Sequence, residues 1–264
     1  MRNFVQNMQL LLALARIALL TELEYRFSFM LKVLGIFTNS LTFLVIWWLY
    51  FQQFPNMNGW TIRETALMLA ISSATFGFVL MFARGLSTMA RSISRGEFDY
   101  YLSLPADPLW LQAISRMDMA GLGDVLFSLL VVTLFAPLDL AQIGLFLLLL
   151  CCSSAVFAGF LILTQSLAFY LGNFEDAAEQ LWWSLGAFGL YPQSAYTGIL
   201  RVVTLTIFPA FFITTLPVEL LINFSWPLLG LLLCFCLLFF RLALAVFYHG
   251  LKRYESGNLM NVLR

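Results

Sequence analysis

Two carboxylates fall within or beside long apolar stretches, Asp124 and Glu219. An acidic side chain at membrane depth is costly, so such a residue is a candidate proton relay or ion site. Asp124 lies only a turn or two from the end of its stretch. Glu219 lies beside Pro217, in a connection. Neither has the paired carboxylates and broken half-helices of an ion-coupled secondary transporter. The chain has one histidine, His249, so a histidine-dependent triad or multi-histidine metal site is not available. Its two lysines, Lys32 and Lys252, are followed by Val33 and Arg253. Neither completes the G-x-x-x-x-G-K-[ST] phosphate loop, so the chain has no ATP-hydrolysing cradle of that kind. Cys151, Cys152, Cys234 and Cys236 all sit in apolar runs and read as packing residues, not as disulfides or zinc ligands.

The elements that carry these residues follow from composition. Of 264 residues, 61% are hydrophobic and 11% charged. A soluble domain is about 25% charged, so lipid must cover much of this surface. The apolar runs are long and unbroken, which selects helices over a barrel. A net charge of zero gives no electrostatic footprint for nucleic acid.

Spans need about 20 mostly apolar residues. The gaps between charges predict six: near 29–51, 64–83, 119–136, 140–169, 197–216 and 227–248. The stretch 172–180 reads as a loop, and 180–196 as an interfacial or broken segment. An N-terminal helix over 5–27, interrupted by Arg16, reads as lying in the membrane interface rather than as a cleaved leader. Trp47, Trp48, Tyr50 and Phe51 mark one interface. Residues 1–264 read as one domain, without repeats or low-complexity linkers.

Six spans place Arg2, Arg16, Arg26, Lys32, Arg84, Arg91, Arg95, Arg116, Arg201, Lys252, Arg253 and Arg264 on one side, with both termini. Only Arg63 falls opposite, and Arg241 can snorkel inward. The positive-inside rule makes the rich side cytoplasmic, whereas seven spans would misplace Lys252 and Arg253.

The longest extramembrane stretch runs through residues 94–110, SRGEFDYYLSLPADPLW. Phe98, Tyr101 and Leu102 share one helical face, and Pro105 and Pro108 end the helix. This predicts a short amphipathic helix over 94–104. It can seat in a partner's groove or rest on headgroups.

The pattern G-x-x-D-x-x-L-x-x-P at Gly96, Asp99, Leu102 and Pro105, followed by Pro108 and Leu109, resembles the cytoplasmic loop of type-two ATP-binding-cassette export permeases. Tyr191–Pro192 with Pro209 and Pro217 downstream, and GLKRYESG at 250–257, match the same group. The resemblance covers nearly the whole chain. It implies a non-catalytic transmembrane subunit of an exporter in a bacterial inner membrane. A second permease chain, identical or related, would complete the path. A separate ATPase would bind ATP and Mg, with no cofactor in this chain. The 94–104 segment would be the coupling helix, with Arg95, Gly96, Glu97, Phe98, Asp99, Leu102 and Pro105 at the contact. Phe98 and Leu102 would be its buried anchors. The interfacial helix would add to that contact, and 217–227 would be an outer re-entrant element. The alternatives are an ion-coupled secondary transporter or channel, and a non-transport membrane scaffold or intramembrane enzyme. Phe76, Phe78, Trp182 and Trp183 are candidates for an apolar and aromatic lining.

Overall fold

The computed structural model describes residues 24–254 together with Ala13, Arg16, Ile17 and Leu20. Most of the interfacial helix expected over 5–27, and the last part of the 250–257 motif, lie outside the described residues. The described residues are mostly helical and form no strand apart from one isolated bridge between Met57 and Trp60.

Helix α1 is Arg26–Gln53, a 28-residue apolar rod that buries only Ser40, Leu44 and Trp47 against the rest of the chain. Helix α2, Ile62–Ala83, starts at a capping box between Thr61 and Glu64, which satisfies its first amides. Most of its residues are buried, with Phe78 and Phe82 exposed. It runs through a 3-10 turn, Arg84–Thr88, into α3, Met89–Ser94. Helix α4 is Asp99–Leu102, and α5 is Pro108–Ile114 with Asp107 capping Leu109 N–H. Helix α6, Leu122–Leu134, follows a 3-10 turn at Met119–Gly121, and the α5–α6 pair bends by 65°. Helix α7, Leu140–Gln165, begins with a second capping box, Asp139 with Gln142, and is followed by α8, Ala168–Leu171. Helix α9 is Glu175–Gly189. Helix α10, Gly198–Thr206, meets a π turn at Phe211–Thr215 and α11, Leu216–Ile222, with a 70° bend. Helix α12, Trp226–Leu251, ends the described fold.

The expected spans one to four and six match α1, α2, α6, α7 and α12 to within a few residues. The fifth does not, and contacts show why. One end of the bundle, here the basic end, carries Arg84, Arg91, Arg95 and Arg116. Glu175, at the start of α9, pairs there with Arg95. Just past the other end of α9, the Leu190 carbonyl accepts from Trp47 Nε1 at 3.2 Å. Ser194 O accepts from Asn58 Nδ2 at 3.0 Å, in the α1–α2 connection. Helix α9 therefore joins the two ends, although its 15 residues rise only about 22 Å. The α10–α11 pair leaves the end opposite the basic one and returns to it. Leu216, Leu220 and Leu221 pack there with Trp47 and Trp60, and α12 starts from there. Residues 198–222 thus form a re-entrant hairpin, not a span over 197–216, and the re-entrant element is not confined to 217–227. The correction also moves Arg201 to the end opposite the basic one, where Glu219 is already expected. Hydropathy alone could not separate a 15-residue crossing with an acidic first turn from a broken apolar hairpin.

Glycines bring three helices close. A Cβ on Gly77 would stand 2.6 Å from Gly121 O, and one on Gly123 would overlap Val33 O. Membrane helices pack closely where side chains are small. This wedges the start of α6 between α1 and α2, with Asp124 beside Ser40.

Candidate functional site

The basic end holds a platform built from the segment between α2 and α6. It is not one helix over 94–104. Helix α3 stops at Ser94, and Gly96 takes φ +72°, a left-handed conformation that suits glycine. The four-residue α4 follows.

Phe98 corrects the expected anchor. It is 0% exposed, with its ring 5.7 Å from Phe169, 6.2 Å from Phe247 and 5.9 Å from Tyr254. An apolar ring in a turn finds its lowest free energy inside its own chain, so Phe98 fastens the platform to α8 and α12. Tyr100 is 64% exposed and Leu102 43% exposed. With Glu97 and Pro105, also exposed, they form the outward surface. Helical periodicity groups Leu102 with Phe98. The break at Gly96 and the shortness of α4 place them on different faces.

Polar contacts hold the platform from below. Arg95 Nη2 and Nε donate to Glu175 Oε1 and Oε2 at 2.9 and 3.1 Å. These bonds hold the Glu175 carboxyl below the usual glutamate range. Glu175 stands on the charged rim, ahead of the apolar part of α9. Ser94 Oγ donates to Gly172 O at 3.0 Å, and Tyr248 OH donates to Asp107 Oδ2 at 2.6 Å. Gln112 Nε2 donates to Gly85 O at 2.8 Å, and a Cβ on Gly85 would overlap the Gln112 carbonyl. Tyr254 OH is buried beside Asp99 without a well-formed hydrogen bond. Burial first, then that carboxylate, raises its pKa above the usual phenol range.

A groove opens between α1, α2, α6 and α9. It consists of two adjoining cavities of about 330 and 450 Å³ that share Ile36, Leu80, Asp124, Trp182 and Trp183. The first lies toward the basic end and is rimmed by Arg84, Arg91, Asp118, Glu175 and Glu179. The second is apolar, with Phe43, Leu69 and Phe76 and the hydroxyls of Ser40, Ser72 and Ser73. Asp124 stands where they meet, and its Oδ1 accepts from Ser40 Oγ at 2.7 Å. Of the aromatic lining expected from sequence, Phe76, Trp182 and Trp183 line the groove, whereas Phe78 lies 45% exposed and does not. Sequence reading missed Ser40, Glu175 and Glu179 as groove residues. The signal is present: Glu175, Glu179, Trp182 and Trp183 lie near one another on consecutive turns of one helix, but the acidic stretch 172–180 reads as a loop and 180–196 as a break.

Glu219 lies in the re-entrant hairpin, away from this groove, and the structure does not bring it together with Asp124. His249 stacks at 6.3 Å on Tyr170 at the basic end.

A family model described as ABC-2 family transporter protein matches residues 37–257. No curated protein and no solved structure matches the chain.

Proposed function

Because the chain belongs to the ABC-2 transporter family, we propose that it is the membrane subunit of an ATP-driven exporter. A separate ATPase chain docks on the platform at the basic end and carries the ATP and Mg. A second permease, identical or related, completes the path. The basic end then faces the cytoplasm of a bacterium with an inner membrane, and both termini lie on that side.

The observation that carries this reading is the construction of the platform. Tyr100 and Leu102 are exposed on its outer surface, with Glu97 at the edge, while Phe98 and Arg95 tie the same loop to the helices beneath. A loop built this way transmits a push instead of absorbing it. Asp99 and Gly96 shape the turn, and Glu97 adds a polar contact at its edge. Pressure from closing ATPases passes through Phe98 to α8 and α12. It passes through Arg95 and Arg91, both paired with Glu175, to α9, one wall of the groove. Helix α3 continues α2, so a second wall moves with the platform. The groove is this chain's half of the translocation path.

The experiment is affinity purification in mild detergent of the chain and of a Tyr100→Asp/Leu102→Asp double variant. The expected result is co-purification of an ATPase with the parent chain, and its loss from a variant that still folds. Equal ATPase recovery with both, or none with the parent, rejects the reading. Asp124 in the groove gives the ion-coupled alternative its one supporting observation. Nucleotide-independent transport by the purified chain alone would favour it.

A further inference from the structure

The groove has an unequal charge balance. Two arginines, Arg84 and Arg91, line it beside four carboxylates, Asp118, Asp124, Glu175 and Glu179. Arg84 is taken by Asp118, and Arg91 by Glu175 and Glu179. Arg95 reinforces Glu175 at the rim. Counting all three arginines leaves one carboxylate over. Among the described residues, Asp124 makes no ion pair. Its one protein donor is Ser40, itself approached by Ser73 Oγ at 3.3 Å, and that donor engages Oδ1. Oδ2 remains as an acceptor at the junction of the two cavities.

The walls around it are aromatic. Trp182 and Trp183 stack with ring centroids 4.1 Å apart and line both cavities, and Phe76 faces the apolar one. Indole faces attract cations through their quadrupole and prefer weakly hydrated ones. The apolar cavity is bordered by Ile36, Asn39, Ser40 and Phe43 of α1, a helix most of whose surface is exposed. A strongly hydrated metal ion would forfeit its water shell there. An inorganic or lipidic anion would meet an unpaired carboxylate.

We infer that the groove is a binding site for an organic cation with apolar substituents, with Asp124 as its counter-ion and Phe76, Trp182 and Trp183 as its walls. Transport of such a cation rests on the exporter reading above. Binding does not, because every residue invoked lies in this one chain. The rim carboxylates are balanced by Arg84, Arg91 and Arg95, so the attraction comes from Asp124, which Ser40 holds in place.

The test uses the full-length chain in lipid nanodiscs, without ATPase. The probes are tetraphenylphosphonium and tetraphenylborate, which match in size and shape and differ in sign. Binding is read by equilibrium dialysis, with empty nanodiscs of the same lipid subtracted, and by quenching of tryptophan fluorescence. The expected result is saturable cation binding at least about tenfold tighter than anion binding. Asp124→Asn keeps the acceptor for Ser40 and should remove that preference, and Trp182→Leu should weaken the cation and its quenching. Equal binding of both ions by the parent chain overturns the inference whatever the variants do. So does an Asp124→Asn chain, folded by its melting curve, that keeps the preference. Loss of ATPase co-purification counts against the exporter reading and leaves this result standing.

Discussion

Arg95 grips Glu175 with two parallel hydrogen bonds, 2.9 and 3.1 Å long, across 80 residues of sequence. One partner sits in the platform and the other at the entrance of the groove-lining helix α9. A bidentate pair fixes direction as well as distance. In the exporter reading it is a strut between the docking surface and the path.

Breaking the strut should uncouple without unfolding. Arg95 is exposed, and an exposed, solvent-screened ion pair contributes little to stability. Arg95→Ala should therefore leave the melting temperature nearly unchanged and preserve ATPase assembly. It should reduce substrate-stimulated ATP hydrolysis severalfold. The charge-swapped double variant Arg95→Glu/Glu175→Arg should recover part of that loss. Equal stimulation in the parent and single variant would remove the strut from the mechanism.

The same pair sets a pH response. Glu175 has a depressed pKa in the folded chain because Arg95 hydrogen-bonds its charged form. Its contribution is complete above the unfolded glutamate value of about 4.3 and falls away as pH drops through the folded value. Amide exchange across 94–102, compared with Arg95→Ala at each pH, should show protection by Arg95 at pH 6–7 (roughly, from that reference value) that vanishes in acid. Protection by Arg95 that stays constant into acid would contradict this.

Phe98 and Leu102 should separate fold from docking. Truncating a fully buried phenylalanine costs about 3–5 kcal/mol, so Phe98→Ala should lower thermal stability and loosen the α12 end. Leu102→Asp, on an exposed side chain, should leave stability within about 0.5 kcal/mol and weaken ATPase recovery. A double-variant cycle in melting temperature should show no coupling between the two.

How much of this was legible beforehand depended on the scale of the signal. The long apolar rods α1, α2, α7 and α12 are set by the mean polarity of some twenty residues, which a charge map reads directly. The platform's place was readable because Gly96, Pro105 and Pro108 impose backbone constraints in sequence. Its facing was not. Helical periodicity assumes an unbroken helix, and the φ of Gly96 rotates everything after it. Helix α9 was missed for a related reason. Glu175, Asp176 and Glu179 look like a loop until Arg91 and Arg95 are placed against them, and those partners come from a distant turn. Asp124 was visible as a costly charge, but its neighbours Ser40, Trp182 and Trp183 come from two other helices.

Close packing makes a separate prediction at Gly85. Any side chain there would meet the Gln112 carbonyl, and Gln112 is buried with its amide committed to Gly85 O. Backbone cannot retreat as a flexible side chain can. Gly85→Ala should cost more than the roughly 1–3 kcal/mol of ordinary overpacking and lower the yield of folded protein. Gly230→Ala, with nothing within 4 Å of the added carbon, is the control and should be neutral. Equal folded yields for the two would show that the Arg84–Thr88 turn and α5 do not meet as described.

The re-entrant hairpin gives the sharpest test of topology. If residues 198–222 cross the membrane once, their two flanks lie on opposite sides. If they turn back, as the contacts of Leu190, Ser194 and Leu220 require, both flanks share a side. Single cysteines placed at Ser194 and Asn223 in a chain lacking its four native cysteines would report this with a membrane-impermeant maleimide on intact cells. A third cysteine variant, at Ser103 in the platform, serves as the reference. Both flanks should label together, and Ser103→Cys should label only after the membrane is opened. Labelling of one flank with the Ser103→Cys site would restore a single crossing at 198–222 and remove α9 as the fifth. With α9 would go its place as a wall of the groove, so this one experiment bears on the strut and on the cation site as well.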